Sequence, residues 1–489
     1  MTAADALDDG SRAVLEHLGR LRSADAPTHG GHVLSYVYDS GLAELDALAR
    51  EAGAAVQPIN ALDPTTFPSV AALERGVVGF ARDMLRGGDD VVGTVTTGGT
   101  ESCLLVVKTA RDLWRAAGGD GVPTIVAPAT VHAAFHKAAQ YFGLDLDLVP
   151  VSADGSVDAG AVVDRLDART AIVVVSAPCY PFATLDPIEE IASAAAVHGI
   201  ACHVDACIGG WVLPWWGDDV PPWDFRVAGV TSISADAHKY GYAPKGASVL
   251  LHRGPDRLAS QFFTTTDWPG YPVVNATMLG SRSAAPLAAA WAITQRLGAD
   301  GFADLAARCR RASETLVDTV RAIDGLRVVG SPTGPLVAVA TDDAVPAARR
   351  VDPHHWADEA RSLGWVLQPQ PGHVQSDGPR LAATTHLTVT PVTADVLPEL
   401  IAALVAAADA VRGVPAATAT DALGTLSSDL LSAGSLDAAT ADALLGALGL
   451  GGASPLPDGI APVMALIEAV PSSLAERLLI ALLTRLSRP

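Results

Sequence analysis

TSISADAHKYGYAPKGASVLLHR, residues 231–253, alternates as a strand, breaks into a polar turn carrying His238 and Lys239, and resumes as a second short strand from Ala247. Only four lysines occur in the chain, Lys108, Lys137, Lys239 and Lys245, and two of them fall in this turn; the rest of the 33 basic side chains are arginines. Arginine cannot lose its proton in a protein, whereas a lysine partly desolvated beside other cations can become a neutral amine and attack a carbonyl. The turn therefore suits Schiff-base chemistry, the plain alternative being two solvated surface lysines.

The flanking segments place that turn in an α/β fold. VVGTVTT (91–97) is a strand ended by Gly98 and Gly99, and Thr100 to Ala117 has the period of a helix stopped by Gly118 and Gly119. TIVAP (124–128) is the next strand, followed by a helix over 131–142. TAIVVVSAP (170–178) is apolar enough for a central strand covered on both faces. A helix then starts with Asp186 as N-cap, Pro187 at its first position and Glu189 completing a capping box, and stops before Gly199; IACHVDA (200–206) is again a strand. This alternation predicts a mostly parallel sheet with helices on both faces.

After a Gly/Pro-punctuated loop at 262–286 and helices to about 322, four strands at 326–330, 335–341, 364–370 and 386–392 surround a helix at 353–362, which reads as a smaller α/β domain. Residues 1–22 form an amphipathic helix with Val14, Leu15, Leu18 and Leu21 on one side, suited to packing or to a dimer contact. Residues 412–489 contain no aromatic residue, lysine or histidine but repeat Ala/Leu patterns, an appended helical unit. The expected divisions are an N-terminal segment 1–60, a large domain 61–300, a small domain 301–411 and the appendage 412–489.

Composition narrows the function. With 489 residues and 49% hydrophobic content the chain is long enough for more than one core. A net charge of −21 repels a phosphate backbone and an anionic membrane surface, so neither nucleic acid nor membrane is an expected partner. The N-terminus lacks a signal peptide's basic and apolar regions, and no apolar run reaches membrane-spanning length. Five cysteines, an odd number without a CxxC pair, suit reduced thiols and a cytoplasmic protein. No GxxxxGK[ST], HExxH or GxSxG pattern competes with the lysine turn, and no metal site is expected.

HKYGYAPKG (238–246), preceded by SISAD (232–236), resembles the cofactor-lysine segment of the sphingosine-1-phosphate lyase branch of the pyridoxal-phosphate (PLP) group II decarboxylase superfamily. The resemblance continues, in family order, through TTGGTESCLLVVKTARD (96–112), VHAAFHKAAQYFG (131–143), HVDACIGGW (203–211) and DWPG with GSR (267–282), spanning roughly residues 30 to 300. It implies the PLP fold type I architecture, like aspartate aminotransferase, and a homodimer with sites at the subunit boundary; the 267–282 loop, with Trp268, Tyr271 and Arg282, is too polar and Gly-rich for a core and is the candidate for reaching the partner's cofactor. PLP chemistry needs a lysine for the aldehyde, an acid at the pyridine nitrogen, a phosphate cradle and something against each ring face. By resemblance these are Lys239, which also shuttles protons, Asp205, the Gly98–Gly99–Thr100 turn, His132 stacked on one face and Cys207 on the other. Ser234 and His238 occupy the phosphate-side and lysine-flanking positions. A glycine turn between strand and helix also has the right physics, with bare amides and the helix dipole facing an anion.

Tyr36, Tyr38, Asn60, Asp63, Lys245 and Arg282 are candidate substrate residues. Where the lyases have an N-P-L-H-P-D turn, this chain has Asn60-Ala61-Leu62-Asp63-Pro64-Thr65, and Gly280-Ser281-Arg282 is followed by Ser-Ala-Ala. A carboxylate at Asp63 would repel a substrate phosphate, or it caps its own turn. The expectation is a PLP-dependent carbon–carbon lyase acting on a small amine, tilted by Asp63 toward amino-acid decarboxylation. Aldehyde-forming cleavage of a phosphorylated amino alcohol is the first alternative, and an aminotransferase or a non-catalytic homologue the others.

Overall fold

The computed structural model describes residues 8–418, 446 and 459–487. The first part of the chain is helical: α1 (Asp9–Arg22), α2 (Ala43–Ala55) and α3 (Pro68–Met84). The large domain then alternates β1 (Val91–Thr96), α4 (Gly99–Ala116), β2 (Thr124–Pro128), α5 (Ala133–Phe142), β3 (Asp145–Val149), α6 (Ala159–Val163), β4 (Thr170–Ser176), α7 (Ile188–Val197), β5 (Ala201–Asp205), β6 (Ser232–Ala235) and β7 (Ser248–Arg253). Its seven strands lie in the order β1-β7-β6-β5-β4-β2-β3, and only β7 runs antiparallel to its neighbours. β3 goes beyond the sequence expectations: its DLDLV pattern marks a sheet edge, with one charged side in water.

Two apolar layers cover this sheet. Val173 and Val175 of β4 join residues of α3 and α7 on one face, while Ile172 and Val174 join α4 and α5 on the other, so alternate positions of a wholly buried strand feed opposite cores. Next come α8 (Pro255–Gln261) and a hairpin of β8 (Phe263–Thr265) and β9 (Val273–Asn275). The helix α9 (Ala285–Ala322) is broken at Gly298, whose φ of 57° favours glycine, and runs straight through residues 300 and 301. Leu287 to Cys309 pack in the large core, and Ala312 to Val320 in a second one.

That second core forms around the antiparallel sheet β10-β11-β13-β12, made of β10 (Leu326–Val328), β11 (Leu336–Thr341), β12 (Gln368–Gln370) and β13 (Thr384–Thr388), covered by α10 (Pro353–Ser362) and α11 (Leu397–Val411). One face of β11 (Val337, Val339) points into it, while Leu336, Ala338 and Ala340 belong to the large core. The N-terminal segment crosses to this sheet as well, bridging Val33 to Val366 and burying Leu34. Of the appendage the structure describes α12 (Ala461–Ala469) and α13 (Ser472–Leu486); the rest of the expected helical unit lies largely outside the described residues. Asp358 of α10 accepts hydrogen bonds from the Ile460 and Ala461 amides and so caps α12 from a neighbouring element.

Two local expectations change. Asp186 does not cap α7: its carboxylate turns inward, where Oδ2 accepts from the Ser176 amide at the end of β4, and burial pushes it up to about 7. The capping box with Glu189 is therefore not made. Helix α1 forms, capped by Asp8, but Val14, Leu15, Leu18 and Leu21 all remain exposed, so its apolar stripe packs on nothing among the described residues.

Candidate cofactor and active site

The candidate residues converge at the carboxyl ends of the parallel strands, where an open α/β sheet presents its ligands. Asp205 is the last residue of β5, in register with Ser176 and Ser234, and its Oδ1 accepts the Cys207 amide at 3.1 Å. Lys239 stands in the turn between β6 and β7. Its Nζ is 3.0 Å from Oδ2 of Asp236, a carboxylate only 1% exposed that also lies 3.5 Å from His238 Nε2. His238 Nδ1 accepts the Gly246 and Ala247 amides, which leaves the proton on Nε2, facing Asp236.

Asp236 is the functional residue that sequence reasoning missed. Burial would lower the Lys239 ammonium, but the Asp236 charge, with Tyr38, Cys207 and Asp205 adding to it, raises it well above the usual lysine range. Likewise burial raises the Asp236 carboxyl, and Lys239 and His238 outweigh it and hold the group well below the usual carboxylate range. Lys239 is thus not kept neutral by neighbouring cations, as the lysine-rich turn suggests; without cofactor it is a paired ammonium. The amine with the lowered pKa is Lys245, pushed down to about 8 by desolvation and then by the Lys239 charge. The SISAD pattern ending at residue 236 was the available signal: an aspartate at the close of a buried strand needs a cation beside it.

Asp236→Asn should therefore destabilise the cofactor-free protein by about 3 kcal/mol near neutrality, the cost of leaving one member of a buried pair alone. The sign with pH follows from the two shifts. The depressed Asp236 carboxyl contributes above the ordinary carboxylate range and loses its contribution as pH falls; the raised Lys239 ammonium contributes below the ordinary lysine range and loses its contribution as pH rises past it. Thermal unfolding of wild type and variant at pH 3 and 7 checks this: the gap should narrow at pH 3, below the ordinary carboxylate range.

The glycine turn is built for close approach. A Cβ on Gly99 would lie 2.6 Å from an Asp236 carboxylate oxygen and 2.8 Å from Cys207 Sγ, and one on Gly98, whose φ is 158°, would lie 3.3 Å from the His238 ring. The first-turn amides of α4, including that of the exposed Thr100, face this cradle. Glu101 braces the turn from behind, taking the Thr97 amide and hydroxyl and, from the loop after β9, the Met278 amide. Cys207 is buried beside Cys103 and donates to Ser234 Oγ. Ser234 itself is fully buried and committed to His203 and Cys207, so it supports Cys207 and does not present its hydroxyl to a phosphate. His132 is exposed at the start of α5, where its Nδ1 accepts the Ala134 amide.

The substrate candidates divide. Tyr38 packs edge-on against Tyr240, carries the Lys245 ammonium 4.5 Å from its ring centre, and has its hydroxyl pushed up to about 12 by burial. Lys245 also donates to the His238 carbonyl. Tyr36, 71% exposed and left-handed at φ 59°, accepts a hydrogen bond from Gln368. By contrast Arg282 is committed to the Val95 and Ala61 carbonyls and lies 3.7 Å from Glu74, and Asn60 to Ser281 and the Leu62 and Arg282 amides. Both therefore fasten the 60–62 turn to the 281–283 segment and neither is free for substrate. Asp63 takes the amides and hydroxyls of Thr65 and Thr66 on its two oxygens, which hold its carboxyl well below the usual range. It caps its own turn. Trp268 and Tyr271 remain exposed on the hairpin loop, joined to each other through the Tyr271 carbonyl. Tyr180, just past the end of β4, and Gln368 of β12 join the site although no local pattern announced them.

Residues 29–340 match the model of the pyridoxal-dependent decarboxylase conserved domain. The chain belongs to this family. Its residues fit the cofactor: a half-buried amine for the aldehyde, a strand-end carboxylate for the pyridine nitrogen, and a helix N-terminus with no room for a side chain at Gly99. Residues 417–485 match a second model, described as "Pyridoxal-dependent enzyme, C-terminal putative HTH domain". The sphingosine-1-phosphate lyase of Arabidopsis thaliana is 39% identical over 63% of this chain, a match that spans 57% of the plant protein. A Methanothrix thermoacetophila protein named "Probable L-tyrosine/L-aspartate decarboxylase" is 35% identical over 63% of this chain and 79% of its own length. Among solved structures, the sphingosine-1-phosphate lyase of Burkholderia pseudomallei superposes with a TM-score of 0.75 at 33% identity, covering 83% of this chain and 92% of that one. No helix among the described residues is long and apolar enough to cross a membrane.

Proposed function

We propose that this chain is a PLP-dependent carbon–carbon lyase that cleaves a phosphorylated amino alcohol to an aldehyde and a smaller phosphorylated amine. The observation that carries the choice is Asp63. It was the reason to exclude a phosphate, and with both oxygens held by Thr65 and Thr66 it no longer tilts the chemistry toward amino-acid decarboxylation. Lys245 supplies the opposite charge in the same turn as Lys239, and relatives named sphingosine-1-phosphate lyase support the reading.

Bound PLP supplies an electron sink for the pair of electrons left on the amine-bearing carbon. The chain's residues do the rest. Lys239, paired with Asp236 here, would hold the cofactor's aldehyde when PLP is bound, and its amine stands where it would move protons at the reacting carbon. The bond between the amine-bearing and hydroxyl-bearing carbons breaks, the hydroxyl proton is lost as the aldehyde forms, and a proton returns to the amine-bearing carbon. Asp205 would hold the pyridine nitrogen and favour its protonated form, and the first-turn amides of α4 would hold the cofactor phosphate.

A panel of phosphorylated amino alcohols and amino acids, assayed for aldehyde and CO2, tests the reading. Aldehyde without CO2 supports it. CO2 from an amino acid without aldehyde would instead favour decarboxylation, the second reading that the Methanothrix relative keeps in view. Lys245 gives the pH signature. With its pKa near 8, the charge that attracts a phosphate is lost as pH rises through that value, so KM for the phosphorylated substrate should climb above pH 8. Lys245→Arg should flatten the rise, and Lys245→Met should raise KM at pH 7 by ~10-fold or more, the range of a lost charge-assisted hydrogen bond.

A further inference from the structure

Gln368 links three segments that are far apart in sequence. Its Oε1 accepts the Tyr180 hydroxyl at 2.5 Å and the Ser35 hydroxyl at 2.9 Å, and its Nε2 donates to the Tyr36 hydroxyl at 2.8 Å. The two hydroxyl donors on one side and the remaining acceptor on the other define the amide orientation. Each segment ends in the site. Tyr180 lies four residues past Ser176, which is in register with Asp205, and its ring packs 4.5 Å from the buried His386. Ser35 and Tyr36 lie three and two residues before Tyr38, the platform for Lys245. Nothing in the fold requires a glutamine there: β12 is a three-residue strand at the edge of the small sheet, and none of its positions is fully buried.

We propose that Gln368 is a positioning residue of the Lys239 site, which fixes the Tyr180 and Tyr36 hydroxyls at the substrate end and sets their polarity. Because Tyr180 donates to Gln368, its lone pairs remain to accept a substrate ammonium or hydroxyl; because Tyr36 accepts from Gln368, its proton remains to be donated to an anionic group. The pair then reads the two ends of a phosphorylated amino alcohol, and in that respect the proposal rests on the lyase reading. Tyr180 also lies close enough to Lys239 to feel its charge.

The test uses the PLP-loaded enzyme and 2-aminoethyl phosphate, which carries the amine and the phosphate but lacks the hydroxylated carbon that the reaction cleaves. Its binding is read from the change it causes in the visible absorbance of the cofactor. Gln368→Met is expected to weaken this binding about 10-fold, by about 1.4 kcal/mol, while the cofactor content and the resting visible band stay as in wild type. Tyr180→Phe should weaken it similarly, and the double variant by no more than the stronger single one, because both remove the same arrangement. Gln368→Glu keeps the acceptor for Tyr180 and Ser35 and should recover part of the loss, whereas Tyr36→Phe in the Gln368→Met background should add nothing. Effects of Gln368→Met and Tyr180→Phe that multiply, or unchanged binding in Gln368→Met, would overturn the proposal. Should Gln368→Met not fold, Gln368→Ala, which also removes the acceptor for Tyr180, carries the same cycle with Tyr180→Phe. If wild type binds amino acids and not 2-aminoethyl phosphate, the lyase reading fails, and the cycle repeated with the bound amino acid still decides the role of Gln368.

Discussion

A Lys239→Ala protein is expected to be colourless and inactive, with turnover down by on the order of 10^4-fold or more, the scale of losing the residue that forms the covalent bond. Purified wild type loaded with PLP should be yellow, because the cofactor joined to the lysine absorbs in the visible. The substitution also strands Asp236, whose buried carboxylate would lose its cation and keep the 3.5 Å contact with His238 and the nearby Ser248 hydroxyl. Loss of colour could then reflect a loosened turn. Lys239→Arg separates the two effects, since a guanidinium can still pair with Asp236 but cannot be deprotonated to attack an aldehyde. That variant should keep most of the cofactor-free thermal stability and remain colourless and inactive. A yellow, active Lys239→Arg enzyme would remove Lys239 from its role, and a wild type that stays colourless after addition of PLP would favour a non-catalytic homologue.

The second large effect falls on Asp205. Asparagine has nearly the same shape and can still accept the Cys207 amide, so Asp205→Asn should fold normally. It removes the negative charge that keeps the pyridine nitrogen protonated, and an unprotonated ring withdraws electrons poorly. Turnover should fall by on the order of 10^2-fold or more, the scale of removing one preorganised electrostatic partner, and PLP should dissociate more readily. Titration of the cofactor-free variant with PLP, followed by visible absorbance and by turnover at saturating cofactor, separates the weaker binding from the slower chemistry. Wild-type rates at saturation would take Asp205 out of the site.

Much of this architecture is visible in local patterns. TAIVVVS could only be a doubly covered strand, because a run without polar positions has no side to show to water; it is β4, an inner strand of the sheet. The strand–Gly-Gly–helix order around 91–117 located the cradle, since glycine before a helix is a backbone requirement written in one residue type. Asp205, Lys239 and the glycines stand at strand ends and turns, where chain order alone brings them together at the carboxyl edge of a parallel sheet.

What only the tertiary structure decided are the identities of partners, because a side chain's charge and hydrogen bonds depend on neighbours that sequence spacing does not specify. Lysine and aspartate three residues apart in a turn can point to the same or to opposite sides; here the turn closed by the Lys239 amide on the Asp236 carbonyl, with the Asp236 carboxylate lying against Gly99, sets the two side chains together and reverses the expected neutrality of that amine. Asp63 and Asp186 show the same limit from both directions: one looked like a pocket residue and caps a turn, the other looked like a cap and is buried against Ser176. Gln368 is the extreme case, since its partners Ser35, Tyr36 and Tyr180 lie 333, 332 and 188 residues away and meet it only when the small sheet closes on the large domain. The sequence by itself therefore determined where the cofactor chemistry sits, because backbone form and residue type suffice for that. Which groups are charged, paired or free to meet a substrate was decided by the fold, through contacts whose energy exists only after distant segments have packed.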